Sequence, residues 1–414
     1  MKADVVFIGG GLAALVSGIK LLEAGKNVII ISTGQSALHF SSGSFCLINK
    51  IGDRPIERPL EHINVLSADH PYRKAGSIEA LRSDLEDAKR IIVESGLDLV
   101  GSIDKNHYSL TPFGVFTPAW LTLDDHLTVE SLTDVPFSSA SIIGIDGFLD
   151  FFPRFISNGL SKYGVQTVES SVNIKEFNTL RDNPTEMRAP NIARSLDDEG
   201  IVRYAEAINR NIKGCDIAII PAVVGLNDSL QMKRLRELVD CSLYSVPTIP
   251  VAVPGIRTKI LLQQRFTSLG GWYLLGDKVT DGVIDEGHLV SVNTANLGNT
   301  PVKATHFVLA SGGLFSRGLK SSIEKVYEPI FGVNVNYESN RELWYDKNFY
   351  NPQPFMRFGV ETDGKFRCRL GAVTIDNLYA IGSILSFDFD PLSQGMGAGV
   401  TLASAMSVAN QIIN

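Results

Sequence analysis

The first 32 residues contain the run DVVFIGGGLAALVSGIKLLEAGKNVIIIS, which constrains the fold more than any other stretch of the chain. Val5 to Ile8 is a short, mostly β-branched apolar run, suited to a strand buried on both faces. Gly9, Gly10 and Gly11 then turn the chain where a Cβ would clash. The spacing predicts a helix from about Leu12 to Ala24, ended by Gly25, and a second strand from Val28 to Ile31. Strand, glycine turn, helix and second strand in this order make a nucleotide-binding βαβ unit. Gly9 makes the tight turn, Gly11 admits a phosphate against bare backbone, and Ala14 is the small residue that lets helix pack on strand. The helix aims its first N–H groups and positive dipole end at the anion.

At the tip of the second strand the pattern departs from expectation. A dinucleotide site usually places Asp or Glu about 20 residues beyond the glycines, to hold a ribose hydroxyl. Here the position is Ser32, a neutral and weaker acceptor, so a mononucleotide is favoured over the adenosine-bearing alternative.

A length of 414 residues predicts two to three domains, and 44% hydrophobic against 20% charged residues supplies ample core. The net charge of −7, without a run of basic residues, argues against a nucleic-acid partner. Cys46, Cys215, Cys241 and Cys368 lie far apart with no C-x-x-C pair, which points away from an iron–sulfur cluster or other metal and fits a reducing cytoplasm. The N-terminus has no basic n-region or cleavage site, and the final apolar stretch, Ala398 to Ile413, is too short and too polar to span a bilayer. A cytoplasmic protein is expected, any membrane association being peripheral.

Further along, Ile78 to Glu94 reads as an amphipathic helix, and YSLTPFGVFTPAWLTL as short strands. Ser141 to Ile145, Leu149 to Ser161 and Val165 to Glu169 repeat βαβ logic. Residues 257–299, with turns at Gly270-Gly271 and Asp281-Gly282, read as a β-meander. Phe307 to Ala310 and Leu378 to Ile381 read as strands, and QGMGAG (Gln394 to Gly399) opens the last helix. The expected division is a discontinuous nucleotide-binding domain over 1–60, 140–172 and 300–414, with an inserted cap, substrate or partner-binding region over 61–139 and 173–299.

Three blocks, GGGLAA, VLASGG (Val308 to Gly313) and NLYAIGS (Asn377 to Ser383), occur in the order found in flavoproteins of the glutathione-reductase type, which the chain resembles. The resemblance implies an α/β fold: a Rossmann-like flavin-binding domain with an inserted α+β second region. More narrowly, GQSALHFSSGS (Gly34 to Ser44), ASGGLFSRG (Ala310 to Gly318), YEPIFG (Tyr327 to Gly332) and LYAIGS followed by FDPLSQGMGAG (Leu378 to Gly399) resemble the B subunit of the anaerobic glycerol-3-phosphate dehydrogenases over essentially the whole length. That family implies FMN, with FAD as the alternative. It also implies a three-part complex in which an FAD-bearing catalytic subunit works with an iron–sulfur, membrane-anchoring subunit. The implied substrate is sn-glycerol 3-phosphate, oxidised to dihydroxyacetone phosphate with electrons passed indirectly to quinone, on the cytoplasmic face of the inner membrane.

The expected flavin-binding residues are Gly9, Gly10, Gly11, Ala14, Ser32, Ser41, Ser42, Gly43, Gly312, Gly382, Ser383, Gly395, Gly397 and Ala398. A helix N-terminus at Gly397 would stabilise negative charge on a flavin by up to ~2 kcal/mol, or by packing needs alone the glycines would serve close helix contact. His39, in a hydroxyl-rich loop, is the candidate proton acceptor; a histidine that only bonds its neighbours is the alternative. Ser41, Ser42 and Ser44 either donate to the flavin or satisfy loop backbone, and Arg317 either meets a phosphate or partner or is simply solvated. Two other readings remain open: a freestanding flavin oxidoreductase with its own substrate, and a non-redox scaffold that has lost its flavin.

Overall fold

The computed structural model describes every residue except Phe389 and Leu392, and every side chain except those and that of Pro184. The chain divides into two units, Met1–Ala37, Cys46–Ser95 and Leu262–Asn414 in one, Leu38–Phe45 and Gly96–Leu261 in the other.

The first unit is built on a six-stranded sheet. Its strands run in the spatial order Trp272–Leu275, Val28–Ser32, Lys2–Ile8, Lys303–Leu309, Val373–Ala380 and Arg367–Leu370. All neighbours are parallel except the last pair. Val5, Val6, Phe7, Ile30, Phe307, Val308 and Leu309 are buried, as the near-continuous apolar runs of a sheet covered on both faces require. The helices Leu12–Glu23, Ile78–Glu94 and Gly397–Ile413 pack on one another in this unit. Gly18 of the first of these helices faces Phe266, where a Cβ would stand 2.9 Å from the ring. Asn410 Nδ2 donates to Asp84 at 2.7 Å, and Lys20 pairs with Asp87 at 2.5 Å.

The second unit has its own parallel sheet, ordered Gln166–Val172, Ser139–Ile145, Ile217–Pro221 and Ser242–Val246. Around it lie the helices Pro153–Ser161, Asp198–Asn209 and Leu230–Leu238, which cover Ile142, Ile143, Ile219 and Ile220. Short antiparallel strands, including Ser44–Phe45, Leu99–Val100 and Leu121–Leu123, complete it.

Two expectations are corrected. The sequence pattern groups residues 140–172 with the nucleotide domain, yet their strands join the second unit's sheet, while 61–95 and 262–299 fall in the first unit. A βαβ passage reads alike in any parallel sheet, and the sequence contains two. Residues 257–299 are not a meander. Val253–Ser268 is a helix, Trp272–Leu275 joins the main sheet in parallel, and only Val279–Asp285 and His288–Thr294 pair as a hairpin. Its turn is at Glu286-Gly287, with Asp281 and Gly282 inside the strand. Proximity of glycine pairs suggested turns, but the buried Leu262 and Phe266 supply the helical period that decided the segment.

Candidate functional site

Three glycine-bearing blocks from opposite ends of the chain meet at the tips of the central strands. Gly9 takes φ +112°, and a Cβ there would stand 2.3 Å from the Ala310 carbonyl oxygen, so only glycine lets the first strand pass the strand Lys303–Leu309. Gly312, at φ +80°, lies against Ser316, with Ser383 Oγ 3.6 Å from where its Cβ would be. Gly382 takes φ +75°, a Cβ there would stand 3.3 Å from Ala13 Cβ of the first helix and 3.7 Å from Thr401 of the last, and its N–H donates to Ser404 Oγ at 3.0 Å. Ala14 is fully buried. The turns bearing Gly9, Gly312, Gly382 and Ser383 thus lie at the same end of the sheet, while Ala14 is buried within the first helix.

Gly11 differs from its neighbours. It N-caps the first helix with φ −88° and ψ −167°, and the atom nearest to where a Cβ would stand, Ser36 Cβ, is 3.9 Å away. Backbone is bare there and the space beside it is open. No acidic residue stands in the first turn of this helix or of the last one, so neither N-terminal dipole is neutralised by the protein. Ser311 Oγ, beside Gly9, is buried and finds no protein partner. Open backbone at a helix N-terminus and an orphaned hydroxyl fit a phosphate-bearing group.

Gly10 and Ser32 are closed in by a residue that the sequence did not single out. The Tyr273 hydroxyl donates to the Gly10 carbonyl at 3.0 Å, and a Cβ on Gly10 would lie 2.1 Å from that hydroxyl and 2.8 Å from Ser32 Oγ. Burial raises the Tyr273 phenol above its usual range. Ser32 is buried and donates to the Gly34 carbonyl at 3.1 Å. No motif marks Tyr273; its role depends on its strand lying beside the second one, which only the sheet order reveals.

At the last helix, Gly397 and Ala398 are half-buried, while Gly399 is packed so tightly that a Cβ would stand 2.1 Å from the Tyr72 hydroxyl. Tyr72 in turn donates to the Leu47 carbonyl at 2.6 Å, and Gly399 N–H to the Cys46 carbonyl. Gly395 takes φ +63° against the Asn49 amide. Of these glycines, Gly395 and Gly399 thus serve packing.

His39, Ser41, Ser42 and Gly43 belong to the second unit. The His39 carbonyl accepts from Ala252 N–H at 3.0 Å, and the absent Cβ of Gly255 lets the helix start approach the Leu38 and Ser41 carbonyls. Burial, and then the charge of Lys259, lower the His39 pKa below the ordinary imidazole value. Ser41 Oγ accepts from Gly43 N–H and Ser42 Oγ from Ser44 N–H, so both hydroxyls satisfy loop backbone. Gly43, at φ +87°, is enclosed by Leu123, Pro254 and His126. His126 was also missed from sequence: its Nε2 lies 2.8 Å from the Ser42 carbonyl and its Nδ1 2.8 Å from Asp125, whose other oxygen accepts from the buried Arg257 at 2.9 Å. Asp125 is held far below the carboxylate range: Arg257 and His126 outweigh the cost of burial. This buried network fixes the backbone of the serine loop.

The FAD binding domain family matches residues 4–400. The chain is 40% identical to the B subunit of anaerobic glycerol-3-phosphate dehydrogenase from Yersinia enterocolitica, covering 100% of this chain and 99% of the relative. It is 39% identical to the corresponding protein of Pectobacterium carotovorum over the same shares. Among solved structures, 3-ketosteroid delta1-dehydrogenase from Sterolibacterium denitrificans is similar at 10% identity with a TM-score of 0.43, covering 100% of this chain and 99% of that one. The chain belongs to the family of anaerobic glycerol-3-phosphate dehydrogenase B subunits, on a FAD binding domain.

Proposed function

We propose that the chain is the flavin-bearing B subunit of an anaerobic glycerol-3-phosphate dehydrogenase complex that oxidises sn-glycerol 3-phosphate to dihydroxyacetone phosphate and passes electrons, through its partners, to quinone. The observation that carries this reading is 40% identity over the full length of both chains. The partners are an FAD-bearing catalytic subunit plus an iron–sulfur subunit that anchors the assembly at the membrane. No helix among the described residues is long and apolar enough to cross a bilayer.

Within the chain, the Gly11 N-terminus of the first helix would hold the flavin phosphate, with Gly9, Ala14, Gly312, Gly382 and Ser383 shaping the cradle and Gly397 and Ala398 presenting the last helix's first turn. A bound flavin accepts two electrons together and releases them singly, which alcohol-to-quinone chemistry requires. FMN is the proposed form, because the Tyr273 hydroxyl and Ser32 occupy the strand tip where a ribose-binding carboxylate would stand in a dinucleotide site. His39 is the proposed proton acceptor for the substrate hydroxyl, and burial, then the charge of Lys259, lower its pKa below the ordinary imidazole value. Gly10 and Gly395 would support the cradle through backbone geometry.

Denaturing release of the cofactor followed by mass measurement tests the flavin assignment. Anaerobic bleaching of the flavin by glycerol 3-phosphate tests the reaction: it should require the other subunits, and bleaching of the isolated chain would favour a freestanding oxidoreductase.

A further inference from the structure

The start of the helix Val253–Ser268 pins the loop that carries His39, both within the second unit. Ala252 N–H donates to the His39 carbonyl at 3.0 Å, and a Cβ on Gly255 would stand 1.8 Å from the Leu38 carbonyl oxygen and 2.9 Å from that of Ser41. Four residues beyond Gly255, one turn along the same helix, comes Lys259. Residues i and i+4 share a helix face, so the side of the helix laid against the loop also carries this lysine. Its charge is felt at the His39 imidazole, where it is the second cause, after burial, of the lowered pKa.

The two cations of this helix stretch are used differently. Arg257, two residues before Lys259 and so on nearly the opposite side, donates to Asp125 at 2.9 Å and to the Gly225 carbonyl at 3.3 Å. That guanidinium belongs to the network that fixes the serine loop. Lys259 is only 6% exposed, and burial lowers its pKa. Its ammonium is thus held at a desolvation cost that a doubly charged anion seated against it would offset.

The loop adds donors of its own. Ser41 Oγ accepts from Gly43 N–H and Ser42 Oγ from Ser44 N–H. A hydroxyl that accepts still has its proton to give, and neither proton is spent in a hydrogen bond among the described residues. Both serines are half-buried. A compact ammonium with three N–H donors, together with two hydroxyl donors, matches the oxygens of a phosphate, whereas a planar carboxylate is better served by the fork of an arginine.

We propose that Lys259, with the Ser41 and Ser42 hydroxyls, binds a phosphate monoester, and that this phosphate is the substrate's. Anchored there, glycerol 3-phosphate would have its alcohol carried on the same short molecule toward His39. The inference rests on the function proposed above and names the residues that would recognise its substrate.

The test titrates the purified, flavin-loaded chain by calorimetry with glycerol 3-phosphate, inorganic phosphate and glycerol. Glycerol 3-phosphate should bind, phosphate should compete with it, and glycerol should not bind. Lys259→Met removes the charge and keeps a long unbranched side chain; it should weaken glycerol 3-phosphate binding roughly tenfold or more, as for loss of a charge-assisted hydrogen bond. In the complex with the partner subunits the same variant should raise KM by a similar factor with a smaller change in kcat. FMN is also a phosphate monoester, so flavin content separates the two sources: unchanged flavin absorbance in Lys259→Met supports the substrate's phosphate, and loss of flavin overturns that assignment. The proposal is equally overturned if Lys259→Met binds as the parent does, or if the unsubstituted chain binds glycerol 3-phosphate no better than glycerol, a result that needs no variant. Binding by the isolated chain that Lys259→Met abolishes supports the site even where the complex fails to oxidise glycerol 3-phosphate, the outcome that sinks the complex reading alone.

Discussion

The Tyr273 hydroxyl donates to the Gly10 carbonyl at 3.0 Å and leaves no room for a Cβ at that glycine. It thereby seals the edge of the Gly9–Gly11 turn, the proposed phosphate site, on the side of the second strand, next to Ser32. Tyr273→Ala removes the seal, and combined with Ser32→Glu it restores a ribose-binding carboxylate. If the parent carries the proposed FMN, the double variant should carry a measurable share of FAD, read by mass after denaturing release. Tyr273→Phe keeps the ring and loses one hydrogen bond; it should leave cofactor identity unchanged and cost about 1 kcal/mol of stability. FMN alone in the double variant would count against the proposed role of the strand tip.

Gly9 and Gly11 are two residues apart and should fail in different ways. A side chain at Gly9 meets the Ala310 carbonyl at 2.3 Å with φ at +112°, so Gly9→Ala should destabilise the fold itself, by roughly 2–4 kcal/mol. At Gly11 the backbone is extended and nothing approaches within 3.9 Å. Gly11→Val should therefore keep the thermal transition of the flavin-free protein while abolishing flavin retention, measured by absorbance near 450 nm on the purified chain. A folded Gly11→Val protein that retains its flavin would place the phosphate elsewhere.

The difference between these two glycines also indicates how far the sequence could be read. The opening unit was legible because strand, turn and helix are local: Leu12–Glu23 and Val28–Ser32 lie within a residue of the expected bounds. Ile78–Glu94 coincides with its amphipathic period and a Ser77 cap, whose hydroxyl accepts from Ala80 N–H. What could not be read was membership. Residues 140–172 and 272–275 are strands of two different sheets, and strand propensity carries no address. Tyr273 and His126 were hidden for the same reason, since each acts on a backbone group more than 80 residues away in sequence. The serine loop could be picked out by its composition, and of the two uses the sequence allowed for Ser41 and Ser42, the structure shows both hydroxyls accepting from their own loop.

YEPIFG, one of the segments that carries the family resemblance, owes its glutamate to backbone. Glu328 is 1% exposed and its two oxygens accept from the N–H groups of Ile330 at 2.8 Å, Phe331 at 2.7 Å and Gly332 at 3.1 Å. Burial raises its pKa and these bonds oppose the rise. Glu328→Ala leaves three donors without an acceptor and should cost about 3 kcal/mol or more, whereas Glu328→Gln keeps one acceptor oxygen and should cost less. Denaturant unfolding with an unchanged m-value checks both. Equal loss in the two variants would mean that the segment tolerates unmet donors.

Asp84 sets a pH dependence of opposite sign to that of a paired carboxylate. It is buried between the helices Ile78–Glu94 and Gly397–Ile413, and burial raises its pKa to about 6, against the opposing pull of Lys20 and of the Asn410 hydrogen bond. A folded-state pKa above the unfolded value of 3.8 means that the protonated form is the one folding favours. Its stabilising effect is complete below about pH 4 and is lost as pH rises through 6, so at neutral pH the native state holds a poorly solvated charge. Asp84→Asn keeps an acceptor for Asn410 and carries no charge. It should raise stability by roughly 1–3 kcal/mol at pH 7.5 and leave it nearly unchanged at pH 4. Thermal melts of the two proteins at both pH values give the comparison, and a gain of equal size at pH 4 would assign the effect to packing instead of ionisation.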